Sequence, residues 1–102
     1  KYLYISFDID VLDPAFVPGT GTPEPGGLTP RETFPIVRRL CAESNVVGFE
    51  LVELNPLADP TYVSAMNANR IVREALTGMA MRKLGLTGKH FLSPLTTDHS
   101  QK

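Results

Sequence analysis

The chain has 102 residues, with ten Lys and Arg against eleven Asp and Glu and a formal net charge of −1. That balance excludes the basic face a nucleic-acid binder needs and the polybasic cluster that holds a chain at a membrane. Hydrophobic residues reach 42% and charged ones 21%, enough to fold, yet no apolar run approaches the ~20 residues that span a bilayer.

The chain opens on Lys1 and runs at once into apolar residues, with no initiator Met and no basic-then-apolar leader. Such a start is expected of a piece of a larger protein. Residues 2–7 are nearly all apolar, aromatic or β-branched, which predicts a strand buried on both faces. A long loop follows. Nine of the chain's glycines and prolines fall between Asp13 and Pro30, and loops of that length inside compact domains are usually functional.

Thr29-Pro30-Arg31-Glu32 then has the form of a helix start, with Thr29 as cap, Pro30 in the first position and Glu32 reaching back. The helix is expected to run to about Glu43. Pro35 removes an amide donor, which predicts a distorted first turn or a slightly later start. Residues 46–52 read as a second buried strand ending near Glu53, closed by Asn55-Pro56. Asp59-Pro60 opens a second helix in the same cap-then-proline style. Its apolar face is Ala68, Ile71, Val72, Ala75, Leu76, Met79 and Ala80, with Arg70, Arg73 and Glu74 on the other side. Gly85 is a suitable stop, and residues 86–102 read as an aperiodic tail.

Strand, helix, strand, helix implies two parallel strands joined by a right-handed crossover. Parallel sheets occur with both faces covered and with several strands. The expected fold class is therefore α/β, a three-layer α/β/α domain with a parallel sheet, of which residues 1–102 supply the last strand-helix-strand-helix part.

Asp8-Ile9-Asp10 follows the first strand. Residues i and i+2 of a strand share a face, so both carboxylates are expected to project together from its carboxyl end, where α/β sheets place their sites. Two carboxylates side by side repel unless a divalent cation sits between them. A bare Asp-x-Asp is also satisfied by one aspartate capping a turn and the other in solvent. An EF-hand loop fails, because Asp13 stands where its glycine belongs and no helix precedes it. A glycosyltransferase-like Asp-x-Asp stays open on these residues alone.

The longer context is more specific. Residues 6–14 (Ser-Phe-Asp-Ile-Asp-Val-Leu-Asp-Pro), then Gly19-Thr20-Gly21-Thr22-Pro23, then Gly26-Gly27-Leu28-Thr29 closely resemble the signature of the ureohydrolase family, which includes arginase and agmatinase. A second block, residues 48–56, resembles the family's later strand and its loop. The resemblance extends to about Gly85. Glu50 stands where many members carry aspartate, and Pro35 interrupts a helix that is usually smoother. The segments 25–30 and 55–60 look more agmatinase-like than arginase-like.

The resemblance implies a hydrolase with two divalent metal ions, usually Mn2+, that converts a guanidino group to urea and an amine. It implies that Asp8 and Asp10 are metal ligands, with Asp10 also orienting the attacking hydroxide bridged between the two ions. Glu53 is implied to be the catalytic residue that faces the substrate guanidinium. Thr20 is expected to line the substrate pocket, with Thr22 beside it. The expected partners are a small guanidino substrate and further copies of the same chain, as a trimer or hexamer, with no nucleic acid and no membrane. Arg31 and Glu32 are candidates for joining subunits, or simply for capping their own helix. Asp13, before Pro14, is expected to hold the turn.

Other residues stay plain. Cys41 has no internal partner, so a reducing, cytoplasmic setting is expected. His90 and His99 lack ligand spacing. The family's remaining metal ligands, a histidine and an Asp-x-His-x-Asp motif, do not occur in these residues. Residues 1–102 alone are therefore expected to be inactive. Arginase, guanidinobutyrase and guanidine hydrolase remain alternatives, as does a catalytically silent subunit of an oligomer.

Overall fold

The β-branched and aromatic run at the start of the chain forms strand β1 (Leu3–Asp8), and its counterpart forms β2 (Val46–Val52). In the computed structural model, which describes residues 1–87, the two strands pair in parallel, with Leu3 opposite Val46 and Asp8 opposite Val52. Helix α1 (Pro30–Glu43) crosses between them and α2 (Val63–Lys83) follows. His90, His99 and most of the expected tail lie outside the described residues. No helix among those described is long and apolar enough to cross a membrane.

Both helices meet one face of the sheet. Ile5, Phe7, Phe49 and Leu51 pack there against a core that takes Val37 and Cys41 from α1 and Ala68, Ile71 and Ala75 from α2. The strands are not buried on both faces as the apolar runs predict. Tyr4 is 59% exposed, and the opposite face carries Ser6 and Glu50 in the open, because the described helices cover only one side. The residues on that face satisfy each other: Tyr4 and Ser6 hydroxyls donate to Glu50 at 2.8 and 2.5 Å.

Helix α1 begins where its capping signal says. The Thr29 hydroxyl accepts the Glu32 N–H at 3.2 Å, and the Glu32 carboxylate accepts the Thr29 N–H at 2.9 Å. Pro35 lies inside the helix without delaying its start, since the cap is made one turn earlier. Helix α2 begins at Val63, later than Asp59-Pro60 predicts. Residues Pro56–Ala58 form a 3₁₀ turn first, and the Asp59 carboxylate holds the approach to the helix. Gly85, at φ +74°, ends α2 in the left-handed conformation that glycine adopts readily.

The buried stripe of α2 is narrower than the apolar spacing implies. Val72 and Leu76 are 38% and 59% exposed. Glu74, expected on the solvent side, is buried between Arg38 and Arg70. Burial of its carboxylate is possible because α1 brings a guanidinium to it. Close approach of the helices rests on Gly78, where a Cβ would meet the Arg38 carbonyl and stand 2.7 Å from Cys41 Cβ. Gly78→Val is expected to cost about 2–3 kcal/mol through overpacking. A urea titration checks it, as a lower midpoint at an unchanged slope.

Candidate functional site

The carboxyl ends of β1 and β2 form one edge. Asp8 stands opposite Val52, so Glu53 follows β2 at the same edge. Asp10, however, does not continue the strand. Ile9–Val11 form a 3₁₀ turn, anchored by Ile9, which is fully buried. Asp8 caps this turn, accepting the Asp10 N–H at 3.1 Å. The i, i+2 parity of a strand therefore does not extend to Asp10, which is joined to Asp8 through a capped turn.

Asp10 is half-buried and accepts the Thr22 hydroxyl at 2.9 Å. Each aspartate thus has one oxygen engaged by the protein, and the other has no hydrogen-bond partner among the described residues. Thr20, two residues before Thr22, is 5% exposed, and its hydroxyl is unpartnered among the described residues. An unsatisfied buried hydroxyl costs about 1–3 kcal/mol. Thr22, and not Thr20, hydrogen-bonds Asp10.

Asp13 closes the long loop, as its place before Pro14 predicts. It accepts the N–H groups of Ala15, Gly26 and Gly27 at 2.9, 2.9 and 3.2 Å. These amides hold its carboxyl below the usual aspartate range. Asp13 is then structural, while Asp8 and Asp10 keep free oxygens.

Glu53 is exposed and adopts φ +71°. A non-glycine residue held there costs about 1–3 kcal/mol, and such strain concentrates at functional sites. Two residues on, the Asn55 N–H donates to the Gly19 carbonyl at 2.7 Å, tying the loop after β2 to the loop after β1. Glu32, in its capping box, is committed to Thr29, and Arg31 beside it is exposed.

Hard divalent cations take oxygen ligands, carboxylates above all. The free oxygens of Asp8 and Asp10 fit such an ion, but only as part of a donor set. No group of three or more His, Cys, Asp or Glu able to hold a metal occurs among the described residues. A groove of about 690 Å3 lies elsewhere, where Arg38, Arg70 and Glu74 meet Phe16 and Phe34. It includes none of Asp8, Asp10 or Glu53, and the acidic strand ends are the better candidate because their chemistry is uncommitted.

The burial of three polar groups, Asp59, Ser64 and Glu74, is not read from the sequence. Asp59 is signalled by Asp-Pro-Thr, an Asx-turn pattern. Ser64 and Glu74 carry no signal of burial, since Gly19 and Arg38, which they meet there, lie 45 and 36 residues away.

A parallel α/β unit with acidic side chains at the carboxyl ends of adjoining strands is the site-bearing kind of α/β structure. The particular family follows from comparison. A sequence profile of the arginase family matches residues 1–78, and the chain belongs to that family. The mitochondrial guanidino acid hydrolase of Homo sapiens is 48% identical over 79 residues, which are 78% of this chain and 22% of that protein. The crystal structure of a hypothetical agmatinase from Burkholderia thailandensis superposes with a TM-score of 0.77 at 41% identity, covering 83% of this chain and 26% of the other. Formiminoglutamase of Trypanosoma cruzi, solved in its oxidised form with Mn2+, gives 0.72 at 30% identity, covering 78% and 27%. The fold is that of the arginase-like α/β proteins, and the chain spans about a quarter of the relatives it matches.

Proposed function

We propose that residues 1–102 form the carboxyl-terminal part of a larger ureohydrolase, a single domain that hydrolyses a guanidino group to urea and an amine. The observation that carries this is the shared edge: two aspartates with free oxygens at the end of β1, and a strained, exposed glutamate at the end of β2, in a chain of the arginase family.

A guanidinium is planar and permanently charged, and a carboxylate can pair with it bidentately. Glu53 holds the substrate in this way and compensates its charge. Asp8 and Asp10 would hold divalent cations, with Mn2+ favoured by the T. cruzi relative, and other ligands coming from the rest of the protein. Such ions, when bound, lower the pKa of water from 15.7 toward ~7. Asp10 accepts a hydrogen bond from the attacking water and orients it toward the guanidine carbon. Thr22 fixes Asp10 for that task, and Thr20, in the same loop, shapes the substrate pocket. The C–N bond to the amine breaks, the amine leaves protonated and urea remains.

Residues 1–102 alone are inactive in this account, because two carboxylates make an incomplete cation site. The full-length protein is a cytoplasmic homo-oligomer, a trimer or hexamer. The substrate is agmatine-like, a guanidine on an amine-bearing chain. The human relative's name favours a second reading, a guanidino acid. Urea release by the full-length, Mn2+-loaded protein is to be measured with agmatine, arginine, 4-guanidinobutyrate and guanidine. Agmatine is expected to have the highest kcat/KM. Preference for 4-guanidinobutyrate supports the second reading, and no urea from any of them rejects the enzyme in favour of a silent subunit.

A further inference from the structure

The loops that carry Asp10's partner and Glu53 meet at the first turn of α2. Asp59 is 2% exposed and Ser64 is fully buried. Asp59 accepts the Thr61 N–H and hydroxyl at 3.0 and 2.5 Å with one oxygen, and the Ser64 N–H at 2.8 Å with the other. The donors of Thr61 and Ser64 together hold that carboxyl far below its usual range.

The same hydroxyl accepts the Gly19 N–H at 2.7 Å, across 45 residues of chain. Gly19 is wedged there: a Cβ on it would stand 2.8 Å from Ser64 Oγ and 2.9 Å from Asp59 Cβ. Its carbonyl accepts the Asn55 N–H at 2.7 Å. Gly19 is thus gripped on both sides, by Ser64 and by the backbone two residues after Glu53. Three residues beyond Gly19, Thr22 donates to Asp10. Tyr62, just before α2, sits at φ +65° with no side-chain cap.

We infer that Ser64, oriented by Asp59, is a positioning residue that sets the separation of the Asp10 carboxylate from Glu53 through Gly19. The inference rests on the function proposed above. A plain helix cap needs only the Asp59 carboxylate and the Ser64 N–H. The Ser64 hydroxyl reaches outside the helix to Gly19, so its removal leaves the Asp59 bond to the Ser64 N–H in place.

The test uses the full-length protein. Ser64→Ala is expected to lower kcat about 10- to 100-fold, since misplacement of reacting groups by ~1 Å costs that much. KM should change less than threefold and the melting temperature little. Mn2+ titration, read by the electron paramagnetic resonance of free ion, should show weaker binding, because Asp10 loses its fixed position. Ser64→Thr keeps the hydroxyl and should restore both. Ser64→Cys keeps the volume with a poorer acceptor and should fall between. Wild-type kcat and Mn2+ binding in Ser64→Ala or Ser64→Cys overturn the inference, as does a Thr variant no better than Ala. Glu53→Gln is the control for the function itself. Its failure to reduce urea release overturns the proposed function, whereas its success beside an unaffected Ser64→Ala overturns the positioning role alone.

Discussion

Asp10→Asn in the full-length protein is expected to lower kcat/KM by about three orders of magnitude, with the melting temperature close to that of the parent. Asparagine keeps the shape and one acceptor oxygen, so the bond from Thr22 can persist. The Asp8 bond to the residue 10 N–H is untouched, since it involves only backbone at that position. What disappears is the charge. A carboxylate beside a divalent cation supplies several kcal/mol of electrostatic stabilisation, and each 1.36 kcal/mol is worth about tenfold in rate. Activity and stability therefore separate at this position. Retention of more than a tenth of the parent's urea release would reject Asp10 as part of the reactive centre. Thermal melting followed beside the assay excludes unfolding as the cause of the loss.

Periodicity and capping chemistry made much of this readable in advance. Thr29, Pro30 and Glu32 mark the start of α1 because the capping box is a contact among neighbours in sequence. Gly85 stops α2 for an equally local reason. Asp13 reads as a turn residue because its bonding begins two residues on, at Ala15. Local signals failed where distant chain supplies the partner. Glu74 looks like a solvent-facing charge from its own helix, and only α1 shows why it is buried. Asp8 and Asp10 stand out in the sequence as Asp-x-Asp, but their geometry does not: the strand ends at Asp8 and a 3₁₀ turn takes over. Glu53 could be placed at the edge of the sheet by counting from β2. Its positive φ could not, because glutamate has no propensity for it and the flanking chain must impose it.

The strain at Glu53 and Tyr62 bears on how the site is held. Both lie in the segment joining β2 to α2, at φ +71° and +65°. Left-handed backbone at non-glycine residues is unfavourable by about 1–2 kcal/mol each. Asp59 and Asn55 lie between them and are fixed by α2 and by Gly19. A rigid α2 is therefore a condition for the strained segment to stay in place, and α2 is held in part by its packing on α1. That makes the Arg38–Glu74–Arg70 cluster important well beyond its own surface.

Glu74→Ala is expected to cost about 3 kcal/mol of stability, a large share of the 5–15 kcal/mol by which domains are stable. Arg38 grips the Glu74 carboxylate bidentately, through Nε at 2.5 Å and Nη2 at 3.0 Å, and Arg70 adds Nε at 2.7 Å. Arg70 also stacks over the Phe34 ring at 4.8 Å. Removing the carboxylate strands the Arg38 side chain, which is only 20% exposed, while Arg70, at 45%, recovers part of its hydration. The cost therefore lies toward the lower end for a broken buried pair. Replacing charge and partner together, as Arg38→Met with Glu74→Leu, should recover most of the loss, because the stranded guanidinium and not the missing attraction is the main penalty. The pH dependence gives an independent check. Burial pushes the Glu74 carboxyl up, but the hydrogen bonds and charges of Arg38 and Arg70 outweigh it and leave it below the usual 4.5. A depressed folded value means that the cluster's contribution is complete above about pH 4.5 and is lost as pH falls through that lower value. Asp13, Glu32, Glu50 and Asp59 are depressed too, so the parent and a Glu74→Gln variant both weaken in acid. The parent should weaken more steeply, and the gap between their urea midpoints should narrow as pH drops from 6 to 3. Parallel curves across that range would show that the buried carboxylate contributes nothing through its charge.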